Sequence, residues 1–538
     1  MTADLDTRYG ELYASGGEVL PGGQSGSDGA ARGGGGSGRA PSDSAVPAGF
    51  GSSREQFESL LGFLDGTDAA GLSHAELEER LDREGRELLR RLLDDHLALR
   101  AVREQRLDGV VGDEGVARGR VESGHVRALE TVFGTVTVER LAYRAPGVGN
   151  LHPADATLNL PVERHSHGLR KLTALEAARG SFQDATDAIS RQTGQLLDKR
   201  QVQELASLAS MDFEDFYETR RPARSKPGEL LVLSCDGKGI VMRSDALRTR
   251  APARPRAGPA KPSLSGDQRH GRKRMAEIGA VYDAAPAPRT AADILPSAAP
   301  EGYEPAPGPV AANKWLCASV VTAPAAVIGR VFDEAERRDP KHRRTWVALI
   351  DGANHQINRI TFEARKREVK VTIVVDFVHV LGYLWNAANC PHPNDDQAAQ
   401  RWVHHQAIRV LQGHARKVAG TIRRQATAAR LDSAARKPAD EAANYLTNKS
   451  PYLDYPTALH NGWPIATGIV EGACRHLVKD RMDITGARWG LAGAEAILKL
   501  RAIKTNGDFE AYWHYHLAQE RHHIHEVKYL NHAIPSLT

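Results

Sequence analysis

The chain has 538 residues, and its 71 lysines and arginines nearly balance its 67 aspartates and glutamates. A content of 41% hydrophobic and 26% charged residues is ordinary for a globular protein and excludes a wholly disordered or fibrous chain. No apolar run approaches the roughly 20 residues of a membrane span, residues 1–10 lack a secretion-signal pattern, and the four cysteines form no CxxC pair, so we expect a cytoplasmic protein without disulfides.

Three regions are predicted in the first part of the chain. Residues 1–52 are rich in glycine, serine and alanine and predict a disordered tail, because they have few large apolar side chains to bury. Residues 53–120 are predicted to be helical, since leucines recur at helical spacing from Leu77 to Leu93. Residues 121–165 alternate in hydrophobicity around Gly134, which predicts a β-hairpin.

Residues 166–225 predict three short helices in close succession. The second ends at Gly194, and the third begins after Asp198, a residue type that caps helix N-termini. Two short helices across a glycine-bearing turn are typical of a helix-turn-helix, whose second helix enters the major groove of DNA. The alternative is a plain three-helix bundle. The candidate DNA contacts are Lys199, Arg200, Gln201 and Gln203.

Residues 226–384 contain three short apolar runs with the composition of strands buried on both faces, at 230–235, 346–350 and 371–375. Each run is followed by an aspartate, and these are Asp236, Asp351 and Asp376. Because ligands of open α/β sheets bind beyond the carboxyl ends of the strands, the three carboxylates are candidate site residues. A helix predicted between the second and third runs would join parallel neighbours.

The remaining sequence is mainly helical in pattern. Residues 385–460 predict a helical insertion rich in arginine and lysine, and residues 461–510 include a helix with an apolar stripe of Val470, Cys474 and Leu477. Glu471 and Arg475 border that stripe, so we expect the Glu471 carboxylate to face the strand ends. Residues 511–538 are predicted as a C-terminal tail, whose histidine cluster is a compositional hint of metal binding.

Gathered carboxylates in a partly buried pocket repel one another, and a divalent cation removes that repulsion. Oxygen ligands suit Mg²⁺ or Mn²⁺, and two such ions can activate an attacking hydroxyl and stabilise the leaving oxygen of a phosphoryl displacement. Residues 243–274 have ten lysines and arginines against two aspartates, which indicates a nucleic-acid partner. The alternative for each Asp-Gly pair is an ordinary turn after a strand.

A family resemblance rests on five segments in order: LSCDGKGIVMR, GRKRMAEIGAVYD, WVALIDGANHQ, VVDFVHVLGYLWNAA and PIATGIVEGACRHLVKDRMDITGARWGLAGAEAILKLRA. Together they resemble ISKra-type insertion-sequence transposases, which are similar to the Mutator-like group of DDE transposases. The resemblance covers about residues 120–510. It implies a multidomain α+β protein with a ribonuclease-H-like α/β core, an all-helical insertion and a preceding helix-turn-helix-like DNA-binding region.

The resemblance also implies roles for particular residues. Asp236, Asp351 and Glu471 are the implied catalytic and metal-binding residues, holding two Mg²⁺ ions for which Mn²⁺ can substitute. Asp376 and His379 resemble a supporting C/D-x-x-H motif, and a competing assignment makes Asp376 the second ligand and Asp351 structural. Further candidate DNA contacts are Arg272, Lys273, Arg274, Arg475, Arg488 and Trp489. Trp489 would stack on an unpaired base or, alternatively, pack in the core.

The implied function is a DDE transposase. It would bind double-stranded DNA at terminal inverted repeats, cleave it in a metal-dependent reaction and join the new 3′ end to target DNA, as a homo-oligomer in the prokaryotic nucleoid. Two alternatives remain open from the sequence. One is a catalytically inactive, repurposed transposase that only binds DNA, and the other is a metal nuclease that cuts any nucleic acid.

Overall fold

The computed structural model describes residues 49–222, 226, 228–247, 272–296, 302–388, 390, 396–484 and 486–535. Seven strands are present in this part of the chain: β1 (Arg120–Thr131), β2 (Gly134–Arg144), β3 (Leu230–Val241), β4 (Lys273–Ala284), β5 (Ala311–Ser319), β6 (Trp346–Ile350) and β7 (Val371–Val375). The α-helices that precede β3 are α1 (Gly51–Asp65), α2 (Thr67–Ala70), α3 (His74–Arg103), α4 (Pro153–Thr157), α5 (His167–Arg179), α6 (Phe182–Thr193), α7 (Lys199–Leu208) and α8 (Phe213–Thr219).

The later α-helices follow the strands of the larger sheet or are interspersed with them. They are α9 (Ala291–Ile294), α10 (Pro324–Arg338), α11 (Asn354–Lys366), α12 (Phe377–Ala388), α13 (Asp396–Leu411), α14 (Ala415–Ala428), α15 (Ser433–Asn448), α16 (Tyr455–His460), α17 (Gly468–Ala473), α18 (Leu491–Thr505) and α19 (Phe509–Glu520), and a short α-helical turn spans Asp480–Met482. The chain is therefore a mixed α+β protein, as predicted. Among the described helices, none is both long and apolar enough to cross a membrane.

The N-terminal helices and hairpin follow from local signals. Helix α3 begins with a capping box, in which the Ser73 side chain accepts from the Glu76 amide and the Glu76 side chain accepts from the Ser73 amide. The hairpin turns at Gly134, whose φ of 137° favours glycine, and β1 pairs antiparallel with β2. The hairpin prediction is confirmed. The helical prediction for residues 53–120 is confirmed as far as Arg103, whereas residues 104–119 form no helix and β1 begins at Arg120. Residues 1–48 of the predicted tail lie outside the described residues, and Gly51 and Ser52 already belong to α1.

The three helices predicted in residues 166–225 are present as α5, α6 and α7. Helix α6 ends at Gly194 with a φ of 71°, and the Asp198 side chain accepts a hydrogen bond from the Gln201 amide at the start of α7. Their apolar faces pack into the main core, for example through Leu169, Ile189 and Val202. The structure therefore contains the three predicted helices, and they pack against the main hydrophobic core.

The larger sheet has five strands in the order β5-β4-β3-β6-β7. β3 pairs antiparallel with β4 and β4 pairs antiparallel with β5, whereas β6 and β7 run parallel to β3. The predicted strands at 346–350 and 371–375 are confirmed, as is the connecting helix α11. The strand predicted at 230–235 extends to Val241, because antiparallel pairing with β4 continues after the parallel pairing with β6 has ended.

The sheet separates two hydrophobic cores. Alternate residues of β3 serve different faces: Leu231, Leu233 and Cys235 pack with α10, α17 and α18, whereas Leu230 and Val232 pack with α12 to α16. Helices α12 to α16 form the predicted helical insertion between β7 and α17. Both faces of the central strands are covered, which explains their continuous apolar sequence.

The prediction of a C-terminal tail is wrong for most of residues 511–538. Helix α19 begins at Phe509 and buries Tyr512, Trp513 and His516. The Tyr512 hydroxyl donates to the carbonyl oxygen of Ala209 at 2.8 Å. The aromatic residues of this segment supply an apolar face that anchors it to the helical region around α8.

Candidate active site

The three predicted aspartates lie in one row across the sheet. Cys235 of β3 pairs with Ile350 of β6, and Ile350 pairs with Val375 of β7. Asp236, Asp351 and Asp376 each follow one of these residues, so they occupy equivalent positions on three adjacent strands. Since neighbouring strands are about 4.8 Å apart, the row spans only about 10 Å of backbone.

Glu471 joins this row from helix α17. The Thr467 hydroxyl lies 2.6 Å from Asp376 Oδ2 and 3.1 Å from Glu471 Oε1, and therefore links the two carboxyl groups. Val470, Cys474 and Leu477 are buried against the sheet, which confirms the predicted stripe. Helix α17 then continues as a π-helical turn, Cys474–Lys479, a feature often found at functional sites.

Asp236 is held by groups on both sides. Its Oδ1 accepts a hydrogen bond from the Gly237 amide at 2.6 Å, and its Oδ2 accepts one from the Cys474 Sγ at 3.1 Å. Burial raises the pKa of the Cys474 thiol, and the negative charge of Asp236 raises it further, so this thiol stays protonated as a donor. The sequence interpretation of Cys474 as a packing residue therefore omits a hydrogen bond to the candidate catalytic aspartate.

Asp376 and Glu471 influence each other's protonation. Burial raises the pKa of Asp376, although the Thr467 hydroxyl and the Val378 amide partly oppose that rise. Glu471 is exposed by surface area, yet desolvation of its carboxyl raises its pKa, and the negative charge of Asp376 raises it further. Burial is thus the main reason that both pKa values are raised, and for Glu471 the repulsion from Asp376 adds to it, a repulsion that a bound cation would relieve.

Glu277 is a fifth acidic residue at this site, and the sequence interpretation missed it. It lies on β4 opposite Gly237 and is only 3% exposed. Burial raises its pKa to about 7, and the charges of Asp236 and Asp351 contribute to the rise. The sequence signal for this residue is a single glutamate within the apolar segment MAEIGAVY. Because glutamate is rarely fully buried without a partner, such a position indicates a candidate functional residue.

Polar and aromatic side chains surround the Asp351 side of the row. Asp351 Oδ1 accepts from the Ala353 amide at 2.8 Å, and the Tyr445 hydroxyl donates to the Asp351 carbonyl oxygen at 2.7 Å. Tyr383 stacks on Tyr445 with 4.0 Å between ring centroids, and the exposed His379 contacts Tyr383 edge-on. The helical insertion thus supplies one wall of the candidate site.

The donor set fits a hard divalent cation. All the candidate ligands are carboxylate oxygens, which Mg²⁺ and Mn²⁺ prefer, and Glu277 Oε1 is buried without a hydrogen-bond partner among the described residues. As the side chains lie, no three His, Cys, Asp or Glu residues within the described ranges are already arranged to hold a metal ion. Asp236, Asp351 and Glu471, with Asp376 and Glu277 beside them, are the residues that could do so.

The predicted DNA contacts on α7 differ in their surroundings. Lys199 and Arg200 are exposed at the start of the helix, and Arg200 pairs with Glu204 at 2.8 Å. The Gln201 side chain caps its own helix by accepting from the Asp198 amide. Gln203 packs against Gly493 of α18, where a Cβ on the glycine would come within 3.1 Å of its side chain. Lys199 and Arg200 are therefore the residues of this set that point to solvent.

The remaining predicted DNA contacts are also unequal. Arg272, Arg475 and Arg488 are exposed. Lys273 pairs with Asp483 at 3.2 Å, and Arg274 donates to the Val320 carbonyl oxygen at 2.8 Å.

Trp489 is buried, which agrees with the core alternative for this residue. It is 5% exposed, the Arg481 guanidinium lies 4.6 Å from its ring centroid and its Nε1 donates to the Met482 carbonyl oxygen. Its ring is covered by the protein, so stacking on a base is contradicted by this placement.

Most of the predicted basic loop lies outside the described residues, which include only residues 243–247 and 272–274 of it. In the helical insertion, several arginines bond to neighbouring side chains, as Arg436 does to Asp440 at 3.0 Å and Arg423 to Asn444 at 2.9 Å.

No protein-family model and no curated protein matches the chain.

Proposed function

We propose that the protein is a DDE transposase that cleaves and joins DNA strands in a metal-dependent reaction. The observation that carries the proposal is the single row of Asp236, Asp351 and Asp376 with Glu471 linked to it through Thr467. Carboxylates in this arrangement are suited to two Mg²⁺ ions, which activate the attacking oxygen and stabilise the leaving oxygen of a phosphoryl displacement. Asp236, Asp351 and Glu471 would hold these ions.

The sheet supports a ribonuclease-H-like core. Three antiparallel strands are followed by two parallel ones in the order β5-β4-β3-β6-β7, with a helical insertion before the helix that carries Glu471. These are the features that the transposase resemblance implies. The acidic residues lie where the parallel strands end, the usual place for ligand sites in open sheets.

We propose Asp351, rather than Asp376, as the second metal ligand, and we assign supporting roles to Asp376 and His379. Asp376 is 2% exposed, and its two oxygens already accept from Val378 and Thr467. Asp351 is partly exposed, and one of its oxygens accepts from Ala353. The more open carboxylate is better able to reach a hydrated cation, which retains several of its water ligands.

The proposed substrate is double-stranded DNA at the inverted repeats that end the element, and the joining step requires target DNA. The exposed Lys199 and Arg200 at the start of α7, with Arg272, Arg475 and Arg488, are the basic residues offered to the phosphate backbone. Two DNA ends must be brought together for joining, so we propose a homo-oligomer on the DNA.

The proposal is tested with labelled duplexes taken from both flanks of the reading frame. The wild-type protein with Mg²⁺ should release a 3′-hydroxyl at the repeat boundary and join it to a second duplex. Asp236→Asn should reduce cleavage by about a thousand-fold or more, because a metal ligand is lost. DNA binding should persist in this variant.

Asp245→Asn serves as the matched control, since Asp245 is an exposed aspartate close in sequence to β3. It should cleave as the wild type does. Salt-sensitive DNA binding without any cleavage in Mg²⁺ or Mn²⁺ would favour the repurposed, inactive alternative. Equal cutting of unrelated duplexes would favour a general nuclease.

A further inference from the structure

Glu277 differs from the other deeply buried glutamates of the described residues. Glu334 is 2% exposed and pairs with Arg337 and Arg338, and Glu363 is 1% exposed and pairs with Arg359 and Arg367. Glu277 is 3% exposed, and among the described residues it forms no ion pair with a lysine, arginine or histidine, while its Oε1 also has no hydrogen-bond partner. A buried carboxylate without a cation is costly, so its position requires an explanation.

A second oxygen beside it is also without a donor. Gln356, at the start of α11, is 2% exposed, and its Oε1 lacks a hydrogen-bond partner within the described part of the chain. Its Nε2 donates to the carbonyl oxygen of Cys235 at 3.2 Å. The Gln356 side chain is therefore fixed to β3 at the residue directly before Asp236.

The Glu277 carboxylate lies against β3. Its Oε2 is 3.6 Å from the position that a Cβ on Gly237 would take, which is an ordinary van der Waals distance. Gly237 directly follows Asp236. Because Glu277 pairs with Gly237, it lies on the neighbouring strand one position along from Asp236. Burial raises the pKa of Glu277, and the negative charges of Asp236 and Asp351 raise it further.

We propose that Glu277 is a further cation-binding residue of this site, and that it contributes a fourth carboxylate to divalent-cation binding with Asp236 and Asp351. The inference rests on the proposed function and extends its ligand set from the helix and parallel strands to the antiparallel part of the sheet. A hydrated cation would bind the Glu277 oxygen that has no partner among the described residues.

The test measures Mn²⁺ binding to the full chain by calorimetry and follows thermal unfolding with and without the ion. Glu277→Gln keeps the volume of the side chain and removes its charge. We expect it to weaken Mn²⁺ binding by about tenfold or more. Without metal it should unfold at the wild-type temperature or above, because an unpaired buried charge has been removed.

Glu363→Gln is the matched control, since it removes an equally buried carboxylate that has arginine partners. It should unfold at a lower temperature and bind Mn²⁺ with wild-type affinity. Glu277→Asp is the second variant: it retains the charge but withdraws it by one methylene, and should bind Mn²⁺ more weakly than the wild type while folding normally.

The failure of this inference is distinguishable from failure of the proposed function. Wild-type Mn²⁺ affinity in both Glu277 variants, together with weakened binding in Asp236→Asn, would overturn the role of Glu277 and leave the metal site intact. A lower unfolding temperature with unchanged Mn²⁺ affinity would assign Glu277 a structural role only. Absence of Mn²⁺ binding by the wild type would overturn both.

Discussion

Thr467 is the residue on which the geometry of the candidate site depends most directly. Its single hydroxyl proton faces both Asp376 and Glu471, and the shorter contact is to Asp376. Thr467→Val keeps the shape of the side chain but removes the donor, leaving the buried Asp376 oxygen unsatisfied. The free energy of unfolding of the metal-free protein should fall by about 1–3 kcal/mol. Urea unfolding measures this change.

Thr467→Ser provides the comparison for that prediction. Serine retains the hydroxyl and loses only a methyl group, so most of the stability should return. Under the proposed function, the valine variant should also cleave DNA more slowly, because Asp376 and Glu471 lose their common link. A valine variant as stable as the wild type would mean that another group satisfies Asp376.

The contact between β4 and α10 sets the spacing of helix and sheet beside the site. A Cβ on Gly279 would come within 2.4 Å of Val331 Cγ2 and 3.1 Å of Cys317 Sγ. Gly279→Ala must push α10 away from the sheet and should lower the free energy of unfolding by about 1–3 kcal/mol. Gly85→Ala, in the middle of α3 with nothing within 4 Å of the added atom, should instead raise it by roughly 0.5–1 kcal/mol. Equal effects of the two substitutions in urea unfolding would contradict this account.

The accuracy with which the sequence predicts the bounds of a strand differs from one strand to the next. The runs at β6 and β7 are predicted to the residue, because strands buried on both faces have continuous apolar sequences. The length of β3 is not predicted, since its second half, DGKGIV, is held by pairing with β4 far along the chain. Glu277 could not be assigned from sequence, because its neighbourhood depends on that same pairing. For Asp376 and Glu471, the sequence predicted nearness to the strand ends, but the link through Thr467 required coordinates.

At the scale of the whole molecule, the described residues from Gly49 onward form one compact unit, and a buried ion pair joins two of its segments that are far apart in sequence. Arg170 of α5 is fully buried, and its Nη1 lies 2.6 Å and 2.9 Å from the two oxygens of Glu520, at the end of α19. Beside it, the buried His516 contacts Asp212 with its Nδ1. These contacts fix helix α19 to the helical region before the sheet, which is why residues 509–520 do not form a free tail.

Breaking the Arg170–Glu520 ion pair should lower the free energy of unfolding by a large amount. Glu520→Met leaves the Arg170 charge buried without its main partner and should lower the free energy of unfolding by about 3–5 kcal/mol. The double variant Arg170→Met/Glu520→Met should recover much of that loss, because no charge is then buried. Urea unfolding gives both values, and hydrogen exchange should locate the loosening of the single variant in α5, α8 and α19. A double variant less stable than Glu520→Met would indicate that Arg170 stabilises the fold through its contacts to Glu163 and His516 even when Glu520 is absent.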